Sequence, residues 1–223
     1  MDTKKLIDTM TGSYVFRRFS DGQCLVLLEA FGAECKDFEK DEAIYQEDDE
    51  ITKFGLVVEG VVKSSKVSIE GRESITQFCR PRHFFGIEFA ASSSKRSLFT
   101  YECVEKASVQ FYDYQRLLRS GIDASLKEAV LANTVDLLTQ RTRKNFERME
   151  ILEQNSIRQR ILLYLKVMSR RKEKNQFVVC MNREEMAAYL SVNRSALSSE
   201  LGKMRDEGLI DYHKNDFKLL KNP

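Results

Sequence analysis

Arg194, Ser195, Ser198, Ser199 and Lys203 fall on one side of a helical stretch and combine short hydroxyls with two long cations. Hydroxyls of that size let a helix backbone approach the floor of a DNA major groove, and Arg or Lys reaches a guanine edge or a phosphate. Ala196, Leu197, Leu201 and Met204 recur on the opposite side at three- and four-residue spacing, which marks it for burial. The chemistry on offer is recognition of a polyanion. Catalysis finds little support, because the chain has only His83 and His213, no nucleophile motif and no paired metal ligands at useful spacing.

The elements that must position these side chains lie in residues 182–210. Asn182 is an N-cap residue, Glu184 and Glu185 sit near the positive end of the helix it opens, and Met186, Ala187 and Leu190 form that helix's buried stripe. Ser191, Val192 and Asn193 make a turn with Val192 as its apolar plug, so a second helix begins at about Arg194. Gly208 ends the pair. Residues 209–213 then alternate as a strand, turn through Lys214, Asn215 and Asp216, and return over 217–220 as the second strand of a wing. The set expected to meet DNA is Asn193, Arg194, Ser195, Ser198 and Ser199, with Arg183 and Lys203 on phosphates. Two other readings stand beside it: ordinary surface helices with a solvated polar face, and a sensor module whose winged helix makes protein contacts.

At 223 residues the chain suits two domains and a connector. Residues 1–118 hold 16 basic against 20 acidic side chains, and residues 119–223 hold 20 against 14, so the basic half is the one with the helix-turn-helix. Cys24, Cys35, Cys79, Cys103 and Cys180 are odd in number and form no Cys-x-x-Cys pair, which argues against zinc or an iron–sulfur cluster and for most of them being small core residues. No metal site is expected. No apolar run approaches membrane-spanning length and Met1-Asp2-Thr3-Lys4-Lys5 leads into no signal-peptide core, so a soluble, cytoplasmic protein with no membrane partner is expected.

Taken in order, residues 20–31 read as a short capped helix with Leu25, Leu28 and Phe31 on one side. Residues 34–111 become brief alternating segments, with Glu-Gly at 59–60 and 70–71 arguing hairpins, and the whole arguing an antiparallel sandwich or barrel. Alternation stops over 85–100, FGIEFAASSSKRSLFT, where hydroxyls, free amides and Lys95-Arg96 give either an anion site or a solvated loop. From about 123 to 152 there is no Pro or Gly, and Leu131, Val135, Leu138, Thr142, Phe146 and Met149 recur every three or four residues. Leu126, Val130 and Leu137 fall on a neighbouring face, so one side of this long helix covers the barrel while the other meets a twin helix in a dimer. Asn155-Ser156 opens another helix with Ile157, Ile161, Leu162, Tyr164 and Leu165, 170–175 is a charged loop, and 176–181, QFVVCM, is a strand able to pair with the wing.

A barrel with a polar loop, a long helix and a carboxy-terminal winged helix, in that order, resembles the CRP/FNR family of bacterial transcription regulators. The residues that carry the likeness are LVVEGVVKSS, FFGIE and NREEMAAYLSVNRSALSSELGKMRDEGLIDYHKNDFKLL. The resemblance implies an α+β chain: a cyclic-nucleotide-binding-like, jelly-roll-like antiparallel β-barrel over 1–120, a dimerisation helix over 121–153 and a winged helix-turn-helix domain over 154–223. It also implies a homodimer on double-stranded promoter DNA, a contact with RNA polymerase, and control by an unidentified small-molecule effector in the barrel. Arg194 falls at the family's base- or phosphate-contacting arginine, and Ser195 and Ser198 fall on groove-facing positions. Ser199 stands where many members have arginine and Ser195 where the best-known members have glutamate, so their target sequences do not transfer. Members that bind cyclic AMP carry Gly-Glu at the loop start and Arg-Ser or Arg-Thr followed by Ala at its end. Here the corresponding residues are Gly86, Ile87 and Glu88, then Arg96, Ser97 and Leu98. If a pocket survives, Gly86, Glu88, Arg96 and Ser97 line it, but the changed spacing argues against cyclic AMP. The family's amino-terminal iron–sulfur cysteine cluster is missing, and His83 with Cys79 reads as structural rather than as a haem site.

Overall fold

The computed structural model describes residues 3–71 and 73–220, so the outermost residues of the first and third expected domains lie outside the described chain. It divides into two compact units, Met1–Gln140 and Arg141–Pro223.

The first unit opens with two helices, α1 (Thr3–Thr11) and α2 (Asp21–Ala30). Ser20 caps α2 through a capping box with Gln23. The buried side of α2 is Cys24, Leu27 and Ala30, with Phe31 behind them, whereas Leu25 is exposed. The expected stripe of Leu25 and Leu28 is therefore displaced by one position. Residues 24–28 are all apolar, so periodicity alone selects no face; the rings that Phe31 must meet decide it.

The strands are β1 (Glu34–Phe38), β2 (Ala43–Tyr45), β3 (Lys53–Glu59), β4 (Val62–Val67), β5 (Glu73–Cys79), β6 (Phe84–Phe85), β7 (Thr100–Cys103) and β8 (Ala107–Asp113), with α3 (Ile87–Ala90) between β6 and β7. They form two antiparallel four-stranded sheets, ordered β1-β8-β3-β6 and β2-β7-β4-β5. The turn at Gly71 joins a true hairpin, β4 to β5. The turn at Glu59-Gly60 does not: β3 pairs with β8 and β6, so here the chain crosses from one sheet to the other. Gly60 has φ of +77°, and a Cβ there would lie 2.4 Å from the Lys106 carbonyl, a close approach that only glycine permits.

β3 and β8 lose simple alternation because both their faces are covered. On β8, Phe111 points between the sheets and meets Phe38, Tyr45 and Phe85, while Tyr112 points the other way onto Phe16, Phe31 and Phe54. Phe111 and Tyr112 are buried and Phe38 and Tyr45 partly so, and such rings contribute about 0.5–1.5 kcal/mol per pair beyond their area. The buried Gln110 is satisfied by the Tyr112 hydroxyl, which donates to Oε1 at 2.7 Å. After α4 (Tyr114–Arg119) comes the long helix α5 (Ala124–Leu152), whose first amides are capped by the Asp123 carboxylate. Leu126 and Val130 are buried against the barrel core, with Leu131, Leu137 and Leu138 packed at its edge.

The second unit contains the end of α5, then α6 (Ile157–Lys172), β9 (Gln176–Val178), α7 (Arg183–Tyr189), α8 (Arg194–Asp206), β10 (Ile210–His213) and β11 (Asp216–Leu219). Ser156 caps α6, whose core residues are Ile161, Tyr164 and Leu165. The charged loop expected over 170–175 is shorter than anticipated. Arg170, Arg171 and Lys172 form the last turn of α6, where cations suit the negative end of the helix, and Glu173 ends it at φ of +53°. The three strands pair in the order β10-β11-β9, so residues 176–178 of the expected 176–181 strand join the wing and the strand ends there.

Candidate nucleic-acid interface

Asn182 accepts a hydrogen bond from the Glu185 amide at 2.9 Å, and the Glu185 carboxylate accepts one from the Asn182 amide at 2.9 Å, which closes a capping box on α7. Ser191 then takes the left-handed conformation, φ of +51°, and lets α7 hand over to α8 within a few residues. Asn193 caps α8 by accepting from the Ser195 amide at 3.0 Å, and the Ser195 hydroxyl donates to the same oxygen at 2.7 Å. Leu197, Leu201 and Met204 of α8 are buried with Met186, Ala187 and Leu190. That leaves Arg194, Ser195, Ser198, Ser199 and Lys203 exposed together on its outer face.

Three charged contacts found no place in the sequence reading. Arg158 of α6 donates Nε to Glu200 at 2.6 Å and both terminal nitrogens to Glu207 at 2.7 Å, fastening the back of α8. Arg160 donates to the carbonyls of Gln154 at 3.1 Å and Leu190 at 3.2 Å, which holds the end of α7. Arg148 donates Nε to the Tyr189 carbonyl at 3.2 Å, with its guanidinium over the Tyr189 ring. The available signal was the even spacing of Arg158 and Arg160 on a helix that otherwise supplies core, a weak one.

Arg183 is half-buried: it donates Nη2 to the Lys214 carbonyl at 3.0 Å and lies over the Tyr212 and Phe217 rings at 5.2 and 5.3 Å. Burial holds its guanidinium below the ordinary arginine value. Its Nη2 is thus engaged with the wing. Lys203 is exposed. Arg194 lies 3.4 Å from the Glu184 carboxylate, both side chains being open to solvent.

In the first unit, Gly86 precedes α3 at φ of +70° and Glu88 is half-buried in that helix. Arg96 is exposed and donates Nη1 to the Asp48 carbonyl at 2.7 Å. Ser97 is fully buried, with its hydroxyl donating to the Phe99 carbonyl at 2.6 Å. The loop therefore uses both side chains to hold its own shape. His83 accepts the Arg80 amide on Nδ1 at 3.1 Å, closing the turn before β6. Cys24, Cys79 and Cys103 are buried, and desolvation pushes the Cys24 and Cys103 thiols up to about 11.

Along α5, Val135, Phe146 and Met149 are 63, 64 and 55% exposed, with Thr142 also open, whereas Leu131 and Leu138 are half-buried against the core. Among the described residues, no helix is long and apolar enough to cross a membrane.

Residues 35–119 match the cyclic nucleotide-binding domain, and residues 159–222 match the Crp-like helix-turn-helix domain. The nitrogen fixation regulation protein FixK of Azorhizobium caulinodans is 26% identical over 180 residues, covering 78% of this chain and 69% of that protein. The solved structure of FixK2 from Bradyrhizobium japonicum superposes with a TM-score of 0.56 at 24% identity, over 85% of this chain and 93% of that one. The c-di-GMP responsive global regulator CLP of Xanthomonas campestris gives a TM-score of 0.63 at 16% identity, over 91% and 100% of the two chains. At such identities the two structures share the fold.

Proposed function

We propose, from the premise that this chain belongs to the CRP/FNR family of transcription regulators, that it binds a two-fold symmetric promoter site as a homodimer. The observation that carries this reading is the division of α8 into a buried side, Leu197, Leu201 and Met204, and an exposed side of hydroxyls and cations. A helix built this way presents a closely approachable polar surface from a rigid base. Arg194, Ser195, Ser198 and Ser199 take base edges in this account, Asn193 shapes the turn beside them, and Lys203 takes a phosphate. Arg183 positions the wing.

The exposed apolar stripe of Val135, Phe146 and Met149 supports pairing of two α5 helices, and two-fold symmetry in the protein calls for matching symmetry in the operator. RNA polymerase is the further macromolecular partner of a regulator acting this way. The effector of the barrel is a molecule other than cyclic AMP, a reading supported by the self-contained use of Arg96 and Ser97. Titration with cyclic AMP by calorimetry should give no heat of binding, and a saturable heat overturns that part. For the DNA reading the experiment is binding of a selected operator by the full chain, with Arg194→Ala expected to lose about 1–3 kcal/mol of specific affinity.

A further inference from the structure

We infer that Glu184 is a specificity-determining residue of the DNA-reading surface, acting through Arg194. It stands in the first turn of α7 and Arg194 in the first turn of α8, with Oε1 3.4 Å from Nη1 and side chains 73% and 65% exposed. The acid next to it is otherwise employed, since the Glu185 carboxylate closes the capping box with the Asn182 amide. Glu184 instead places a negative charge beside Arg194, the residue that opens the reading helix.

Such a carboxylate discriminates between the two ways Arg194 can meet DNA. A guanidinium has five N–H donors in a planar fork, so two can engage guanine O6 and N7 while another edge stays with Glu184. In that arrangement the pair persists and orients the fork. On non-cognate DNA Arg194 has only a phosphate to meet. Reaching it breaks the pair and leaves the Glu184 carboxylate among phosphates, an unfavourable like-charge arrangement. The penalty falls on non-cognate complexes, which is how a repulsive element raises specificity.

The inference rests on the sequence-specific reading proposed above, and a double-substitution cycle tests both. Kd is measured by fluorescence anisotropy for the full chain on its selected operator and on a random duplex of equal length. Four proteins are compared: the parent, Glu184→Gln, Arg194→Ala and the double variant. Glu184→Gln is expected to tighten random-duplex binding about two- to five-fold, the scale of an exposed ion pair, and to lower the operator-to-random ratio correspondingly. In the Arg194→Ala background the same substitution should leave the ratio unchanged. An unchanged ratio in the Arg194 protein overturns the role, as does an equal shift in both backgrounds, which would report net charge alone. A parent protein that binds both duplexes equally overturns the reading of the surface as well.

Discussion

Arg158 holds Glu207 through both terminal nitrogens, Nη1 to Oε2 and Nη2 to Oε1 at 2.7 Å each, while its Nε reaches Glu200 at 2.6 Å. One side chain of α6 thus fixes two points of the reading helix, Glu200 within α8 and Glu207 at its C-cap, seven residues apart in sequence. The planar fork makes this geometry possible, and a lysine ammonium cannot reproduce it. Arg158→Ala should weaken operator binding several-fold more than it weakens random-duplex binding, because a loosened α8 no longer presents its side chains in register. Arg158→Lys should recover only part of the loss. Equal losses on both duplexes would reduce Arg158 to a general support.

Asn182→Ala removes one half of the capping box on α7 and leaves the Glu185 amide without its side-chain acceptor. The expected cost is about 1 kcal/mol of stability in the second unit, read as a lower urea midpoint. An unchanged midpoint would mean that water caps this helix equally well.

Phe146→Asp places a charge on the exposed stripe of α5 without disturbing either core, since the ring is 64% exposed. Sedimentation should show a shift towards monomer and operator affinity should fall together with it. A dimer that survives the substitution locates the interface elsewhere.

The described chain also ties residues 14–17 to α5. The Tyr14 hydroxyl donates to the Asp136 carboxylate at 2.6 Å and Arg17 Nη2 donates to it at 2.7 Å. The Tyr14 hydrogen bond, aided by Arg17, holds the Asp136 carboxyl below its ordinary value of 3.8. A depressed carboxylate adds stability that is present above the unfolded value and lost as pH falls through the lower folded value. The difference in urea midpoint between the protein and Asp136→Asn should therefore be full at pH 6 and shrink below about pH 4. A difference independent of pH contradicts the link.

The second unit was legible in sequence because several independent signals coincide there. Asn182 and Asn193 are capping types, the buried positions of α7 and α8 repeat at helical spacing, and Gly208 takes the positive φ expected where a helix stops. The first unit was legible only as alternating strands. β3 and β8 are covered on both faces, and the cross-sheet turn at Gly60 looks in sequence like the hairpin turn at Gly71. The helix α1, with its three buried residues Ile7, Thr9 and Met10, gave too short an apolar pattern to announce itself. The partner of Arg183 was not legible for a different reason: the wing carbonyl that it meets belongs to Lys214, a residue that no local pattern links to it.

The most direct test of the account is selection from random duplex DNA with the purified full chain, followed by titration of the enriched sequence at several salt concentrations. A dimeric DNA-reading regulator should enrich a symmetric site with half-sites about one helical turn apart, with an affinity that falls steeply as salt rises. Failure to enrich any sequence, with binding insensitive to salt, would contradict it and leave the winged helix as a surface for contacts other than DNA.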